Sequence, residues 1–419
     1  MNTGNKISKS FFYRDTVFYI ICFLIVFTPL ARGAMHPWAI TLTQIGLAFS
    51  VCLLFLHSIR FGGPVLEPAP LGRPLSALLL LGGVTALFSA QGLFAWEGFL
   101  LLLTYATAYW VTHTVVRTRR QQRIVVYVII STALILAFIG LLKRFGMNPF
   151  VFWEYEELRY SPKYLAATFT NHNHMAGFLE MAIPFVPVLL LTRRRGAGTK
   201  FLIFYILFIL LTTQVLTLSR GGWVSCIGAL VFMLIVIASK ENFNKGKLLL
   251  SFAGAGIVLS VFILSSTPVV ERVMTLAEQD KATSMESRLI AWSGTIDMIK
   301  DHALTGVGPG VYQASFTQYQ PAGLRMMFIQ AHNDYLQVVA EFGVFAIPIV
   351  IWAIFLFFKK GIQNIAHPSR QIRWVSLAVM ASFVAVLIHS ILDFNMYIPA
   401  NAVFFAISTS LLRQNEFVN

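Results

Sequence analysis

Long apolar runs separated by short polar connections constrain this chain more than any other feature of its sequence. Hydrophobic residues make up 57% of its 419 residues, and charged residues make up only 12%. A run of about 20 apolar residues can cross a bilayer as a helix, and a helix satisfies its own backbone polar groups. The sequence therefore predicts an all-α integral membrane protein and not a soluble globular domain.

Twelve such runs are predicted, and they cover residues 16–30, 38–57, 75–90, 93–115, 124–142, 174–191, 201–218, 222–238, 247–266, 333–358, 374–392 and 398–412. We expect them to form one polytopic membrane domain over residues 1–419. The longest polar interruption is a loop at 267–331, between the ninth and tenth spans. Any chemistry is expected in and around this loop.

The distribution of basic residues predicts the orientation of the spans. Lys and Arg total 32, and 21 of them fall on alternate connections together with the N-terminus. By the positive-inside rule this side is cytoplasmic, so both termini are inside and the 267–331 loop is periplasmic in a bacterium with two membranes. The net charge of +14 is explained in the same way, and no nucleic-acid partner is expected.

The outer loop is predicted to contain an amphipathic helix. Thr283 and Glu286 have the spacing of a capping box, which indicates a helix start. Apolar residues then recur at intervals of four and three, which is typical of one helical stripe: Met285, Leu289, Trp292, Ile296 and Ile299. Such a helix would lie on the membrane surface or cap the bundle.

Two outer arginines are candidates for binding a ligand. Arg220 lies in a very short connection before Gly221 and Gly222, and glycines allow another backbone or a ligand to approach closely. Although an arginine near a helix end often extends to the lipid headgroups, we favour a functional role for Arg220. Arg288 lies beside the apolar stripe of the loop helix, where a solvated residue and a functional residue are equally compatible with the pattern.

His332 is the third candidate, since it opens the tenth predicted span at its outer end. A lone histidine is more often structural, but an imidazole has an unperturbed pKa of about 6.5 and can accept a proton near neutral pH. Asn333 follows it. Glu341 lies further along the same predicted helix, and an acidic residue at that depth is expected to have a partner.

Further polar residues lie at the outer ends of other spans. Asn173 either caps the sixth span or supports the site. His172 and His174 flank it, but no third ligand follows at a recognisable spacing, so no metal site is predicted. His389 and Asp393 are four residues apart, which places them on one face of a helix.

Two arginines and a histidine on the outer face suit a reaction in which a diphosphate leaves and a hydroxyl attacks. Arginine binds phosphate oxygens at two points and stays charged, so it stabilises a leaving diphosphate. A neutral imidazole can take the proton of the acceptor. Because nucleotide sugars are not available outside the cytoplasm, the expected donor is a lipid diphosphate in the bilayer.

Five segments resemble the O-antigen ligase and O-antigen polymerase superfamily: 218–221 (Leu-Ser-Arg-Gly), 287–292 (Ser-Arg-Leu-Ile-Ala-Trp), 306–310 (Gly-Val-Gly-Pro-Gly), 332–336 (His-Asn-Asp-Tyr-Leu) and 341–343 (Glu-Phe-Gly). The resemblance implies about twelve spans and a metal-independent, inverting glycosyltransferase with no cofactor. It implies that Arg220 and Arg288 bind the diphosphate of an undecaprenyl-linked glycan. His332 would then orient or deprotonate the acceptor hydroxyl.

The acceptor is not specified by these motifs. We rank ligation to lipid A-core in lipopolysaccharide biosynthesis first, O-antigen or exopolysaccharide polymerisation second and protein O-glycosylation third. A polysaccharide-lipid transporter is the alternative that is not an enzyme. It is the weaker hypothesis, since no duplicated pair of broken helices is evident. The expected location is the bacterial inner membrane, with the active site on the periplasmic side.

Overall fold

A computed structural model describes residues 3–147, 164–192, 195–239, 282–322 and 328–413. The elements within these ranges are helices, as expected. They are α1 (Thr3–Leu30), α2 (Pro37–Phe61), α3 (Gly72–Phe88), α4 (Gly92–Val115), α5 (Arg119–Arg144), α6 (His172–Ala182), α7 (Val186–Leu191), α8 (Ala197–Leu216), α9 (Arg220–Ser239), α10 (Ala282–Asp301), α11 (Tyr312–Phe316), α12 (Asp334–Phe342), α13 (Ala346–Ile365), α14 (Arg370–His389) and α15 (Pro399–Ser410), with short 3₁₀ turns at Arg32–Ala34, Ile183–Phe185 and Asn395–Tyr397.

Eight helical segments in the described ranges are long and apolar enough to cross a membrane: Phe12–Leu30, Pro37–Phe61, Arg119–Arg144, His172–Leu191, Ala197–Leu216, Arg220–Ser239, Ala346–Ile365 and Arg370–His389. Helices α3, α4 and α15 occupy three further predicted runs. The predicted run at 247–266 lies outside the described residues. The protein is therefore a multi-pass helical membrane protein, while the count of twelve spans stays a prediction.

Two predicted spans are interrupted. The run at 174–191 contains a 3₁₀ turn between α6 and α7, where Pro184 and Pro187 each remove a backbone N–H. The run at 333–358 consists of α12 and α13, because the first helix ends at Gly343 with a φ of 74°. The N–H of Val344 then bonds to the carbonyl of Ala303, 2.8 Å away. The single long tenth span predicted from the sequence is therefore wrong.

The core of the bundle is built around α14, which packs against α6, α9 and α13. The hydroxyl of Ser382 donates to the carbonyl of Met181 at 2.5 Å and fixes α14 against α6. His389 follows Ser382 by seven residues and therefore lies on the same side of α14. The last turn of α14 is thus held against the C-terminal end of α6, where Nδ1 of His389 meets Glu180.

The glycine turn at 306–310 is attached to α12. The N–H of Gly308 bonds to the carbonyl of Glu341 at 3.0 Å, and the N–H of Gly310 bonds to its carboxylate at 2.9 Å. Tyr397 donates to the same carboxylate at 3.0 Å, and the amide of Gln337 donates to it at 3.2 Å. The expectation that Glu341 has a partner is confirmed.

Helix α10 presents different residues to the bundle and to the exterior. Ala291 and Met298 are fully buried, whereas Leu289 and Ile296 in the predicted apolar stripe are 54% and 44% exposed. Only part of the stripe is thus available to a membrane surface, since Trp292 and Ile299 are partly buried against the protein. The helix already includes Ala282, so Thr283 lies inside it and the predicted capping position is wrong.

Candidate functional site

Arg220 is the first residue of α9, and the turn before it is fixed by hydrogen bonds. Leu218 has a left-handed backbone with a φ of 56°, a conformation that is strained for a branched side chain. The hydroxyl of Ser219 accepts a hydrogen bond from the N–H of Gly222 at 3.2 Å. The amide of Gln214 donates to the carbonyl of Gly222 at 2.9 Å. The start of α9, and with it the position of Arg220, is therefore well defined.

The two glycines after Arg220 allow close approach, as expected, but the groups that approach are side chains. A Cβ atom on Gly221 would lie 2.9 Å from Nε2 of His389. A Cβ atom on Gly222 would lie 2.6 Å from the Cβ of Ala176. Position 221 therefore requires glycine if His389 is to keep its place against the start of α9.

His332 lies two residues before α12 and also has a left-handed backbone, with a φ of 49°. The carbonyl of Ala331 accepts a hydrogen bond from the indole of Trp292 at 2.9 Å. The backbone N–H of Ala331 donates to the side-chain oxygen of Gln337 at 2.9 Å. On the other side, the N–H of Asp334 donates to the carbonyl of Ser390 at 2.9 Å. The strained histidine is thus held from both directions, as is typical of functional residues.

Asp393 connects His332 to His389. Nδ1 of His332 lies 3.4 Å from Oδ1 of Asp393, and Nε2 of His389 lies 3.9 Å from Oδ2. Nδ1 of His389 lies 3.0 Å from both carboxylate oxygens of Glu180. The four side chains form a row that extends from Glu180 in α6 to His332, two residues before α12. The side chain of His332 is 24% exposed, whereas the other three are 1–2% exposed.

The surroundings of Asp393 keep its carboxylate ionised. Burial alone would raise its pKa, but the contact with His332 and the nearby rings of His174 and His389 outweigh burial and hold the pKa well below its ordinary range. A permanent negative charge therefore lies beside Nδ1 of His332. A carboxylate in this position can accept a hydrogen bond from Nδ1 and so orient the imidazole.

Arg288 is half-buried on α10, on the side that faces the protein. Ala291, three residues on, is fully buried. Trp292, four residues on, bonds to the carbonyl of Ala331. Residues four apart share one face of a helix. Arg288 therefore lies one helical turn from the contact that fixes the residue before His332.

Three predicted residues, Asn173, Asn333 and Asp393, lie at the ends of helices. Asn173 does not cap α6, because Asn171 does so by accepting a hydrogen bond from the N–H of Asn173 at 2.8 Å. Asn333 caps α12 by accepting from the N–H of Leu336 at 3.0 Å. Asp393 lies beyond the end of α14, not on it, although its side chain still faces His389.

The paired histidines of α6 lie apart from any metal-binding arrangement. His172 stacks on Tyr164, with 4.4 Å between the ring centroids, and His174 contacts Phe394 edge to face at 5.1 Å. Within the described ranges, no three His, Cys, Asp or Glu side chains come together in a way that could hold a metal ion.

A comparison with family models finds one match, to a family described as O-antigen ligase, over residues 205–351. The match covers about a third of the 419 residues. The resemblance to the O-antigen ligase and polymerase superfamily is therefore confirmed, and the family is one of glycosyltransferase-like membrane proteins. A search of curated proteins finds no match.

The matched range includes Arg220, Arg288 and His332. His389 and Asp393 follow it and contact Gly221 and His332, respectively, whereas Glu180 precedes it and contacts His389. Glu180 was not predicted as a site residue, although a carboxylate within an apolar run is itself a signal of a functional site. The hydrogen bond from Ser390 to the carboxylate of Asp334, at 2.6 Å, was not predicted either.

Proposed function

We propose that this protein transfers a glycan from undecaprenyl diphosphate to a hydroxyl acceptor at the periplasmic face of a bacterial inner membrane. The observation that carries the proposal is the contact of His332, within the range that matches the O-antigen ligase family, with the ionised Asp393 beyond it. The start of α9, which bears Arg220, borders the same row of side chains through Gly221 and His389. Ligation to lipid A-core is the first choice of acceptor reaction.

In the proposed reaction, the acceptor hydroxyl attacks the anomeric carbon from the face opposite the diphosphate. The new glycosidic bond forms as the bond from the anomeric carbon to the diphosphate oxygen breaks, so the configuration inverts. Nδ1 of His332 faces Asp393, which leaves Nε2 to take the hydroxyl proton. Arg220 and Arg288 stabilise the negative charge that develops on the leaving diphosphate. His389 and Asn333 support the site by position, and Asn173 lies in the same helix as Glu180.

Transfer by purified protein tests this function directly. We expect protein in liposomes to move glycan from undecaprenyl diphosphate to added lipid A-core, and to do so without divalent cations and in excess chelator. Mass spectrometry of the product and release of undecaprenyl diphosphate are the measurements. Product made from donor alone, by extension of the glycan, would identify a polymerase. Product on protein hydroxyls would identify protein O-glycosylation.

The same assay separates an enzyme from a transporter. A polysaccharide-lipid transporter would move the donor across the liposome membrane while leaving its diphosphate bond intact. Intact donor with every class of acceptor would therefore contradict the proposal. Loss of transfer in chelator would contradict the metal-independent mechanism. It would make His172 and His174 candidates for metal ligands.

The proposed orientation places both termini in the cytoplasm and the 267–331 loop in the periplasm. Contacts between distant segments support the grouping of three of these connections on one side of the membrane. Arg117 and Arg413, both predicted to be cytoplasmic, pair with the carboxylate of Glu67 in a third cytoplasmic connection. Burial lowers the pKa of Arg413 to about 10, so this arginine still carries its charge at neutral pH.

Reporter fusions test the orientation. We expect fusions after Arg123, Lys200 and Lys360 to give cytoplasmic signals, and a fusion near Gln279 to give a periplasmic signal, because 21 of the 32 basic residues lie on the first side. Alkaline phosphatase and a cytoplasmic fluorescent protein give opposite readouts at each position. A cytoplasmic signal at Gln279 would place the candidate site on the wrong side of the membrane for a periplasmic acceptor.

A further inference from the structure

The Glu180–His389 pair is the strongest feature that the transfer reaction leaves unused. Glu180 is 1% exposed and lies within α6, where a carboxylate is costly to desolvate. Both of its oxygens are 3.0 Å from Nδ1 of His389. Because a buried ion pair commonly adds little stability compared with apolar side chains of similar size, packing alone does not explain it.

Glu180 controls which edge of the His389 ring faces which neighbour. An ionised carboxylate can only accept hydrogen bonds, so it favours a proton on Nδ1 of the imidazole. The opposite edge then faces two parts of the site. Nε2 is 3.9 Å from Oδ2 of Asp393, and it is also the atom that a Cβ on Gly221 would approach to 2.9 Å.

His389 is therefore shared by the two functional segments of the site. On one side its ring touches the backbone directly after Arg220. On the other side it borders Asp393, whose second oxygen contacts His332. A rotation of the His389 ring would disturb both neighbours. Glu180 opposes such a rotation, because its carboxylate contacts Nδ1 on the opposite edge of the ring.

We infer that Glu180 is a positioning residue, which fixes the orientation and tautomer of His389 and through it places Asp393 against His332. The inference rests on the proposed transfer reaction. It assigns to Glu180 no contact with either substrate. Its role resembles that of the carboxylates that orient metal-binding or catalytic histidines from outside the reacting groups.

Charged and titratable groups surround His389 on several elements. They are Glu180 and His174 on α6, Asp334 at the start of α12, and Asp393 after α14. Glu180 meets Nδ1 of His389. Nε2, on the opposite edge of the ring, lies 3.9 Å from Oδ2 of Asp393.

Three variants of Glu180 separate positioning from packing. Glu180→Gln keeps the size of the side chain, but its amide can donate as well as accept and no longer fixes the tautomer. Glu180→Asp is shorter and keeps the carboxylate. If the residue positions His389, we expect kcat to fall roughly 10- to 100-fold in Glu180→Gln and less in Glu180→Asp, with the KM for donor unchanged within about twofold.

The tautomer of His389 provides a readout that does not depend on turnover. Solid-state NMR of protein labelled with ¹⁵N-histidine in lipid would follow the nine histidines, and the signal that His389→Gln removes belongs to His389. We expect a protonated Nδ1 in the native protein and in Glu180→Asp, and a mixture of tautomers in Glu180→Gln. Cys226→Ala, which changes packing beside Glu180 but leaves its bond to His389, is the control and should leave both kcat and the spectrum unchanged.

A higher kcat in Glu180→Gln than in Glu180→Asp would overturn the inference, since it would mean that size and not the carboxylate matters. An unchanged His389 spectrum in Glu180→Gln would also overturn it. Failure of the transfer reaction itself is distinguishable. In that case the native protein itself would leave the donor intact. An error confined to Glu180 would instead leave the native protein active, His332→Ala inactive and Glu180→Gln fully active.

Discussion

His332→Ala is expected to lose transfer at least 10²-fold while binding the undecaprenyl-diphosphate donor with near-native affinity. General-base assistance contributes about 10²- to 10⁴-fold, and in the proposed reaction His332 acts on the acceptor hydroxyl and not on the diphosphate. Removal of the imidazole also leaves the ionised Asp393 without the group that it stabilises. Single-turnover transfer and donor binding, measured on the same purified protein, give the two quantities separately.

His302→Ala is a matched control, because His302 directly follows α10, the helix that bears Arg288. Its ring contacts Tyr319, with 6.4 Å between the ring centroids, and no contact with Asp393 is seen among the described residues. It should transfer glycan at the native rate. Loss of donor binding in His332→Ala would assign His332 to the diphosphate site and would contradict its role as base. Native transfer by His332→Ala would contradict the mechanism as a whole.

Arg220→Lys and Arg288→Lys are each expected to lose transfer about 10²-fold or more, and the Ala variants are expected to lose at least as much. A lysine keeps the positive charge but presents an ammonium in place of a planar group with two parallel N–H donors, so it cannot bind the diphosphate at two points. Removing one donor that stabilises a developing negative charge commonly costs 10²- to 10³-fold in kcat. Donor binding should fall in these variants, in contrast to His332→Ala.

Lys300→Ala is the control for Arg288, since Lys300 lies on the same helix, is exposed, and pairs with Asp297 at 2.8 Å. Its loss should leave donor binding and transfer unchanged. The two arginines would be shown to act only as interface anchors if their Lys variants worked as well as the native protein. Membrane extraction and melting of each variant would identify any loss of folded protein.

The sequence alone predicts the class of the protein and much of its helical layout. The apolar runs are long, and the positions of α2, α5, α8, α9 and α14 follow from them, because a membrane-spanning helix must be apolar over about 20 residues. The motifs around Arg220, Arg288 and His332 also led to the family that the comparison confirms. These features are local in sequence, so they can be recognised without knowing the fold.

Features that depend on distant contacts were not predictable in this way. Glu180 and His389 are 209 residues apart, and no spacing rule connects them. The end of α12 at Gly343 is fixed by contacts with 303–304, which the apolar pattern does not record. Asn171 and Asn173 are both suitable caps by residue type, and only the backbone geometry decides between them.

The attachment of the glycine turn to several elements limits which sequence changes the 306–310 segment can accept. Besides its bonds to Glu341, the turn receives a hydrogen bond from Ser89, whose hydroxyl donates to the carbonyl of Val307 at 2.6 Å. The backbone of Pro309 packs against Gly98 so closely that a Cβ there would overlap it. A crossover that brings in the 306–310 turn without compatible residues at positions 89, 98 and 341 would join mismatched surfaces. A change in the turn is therefore expected to require matching changes after α3, in α4 and in α12, and a turn exchanged on its own is expected to pack poorly.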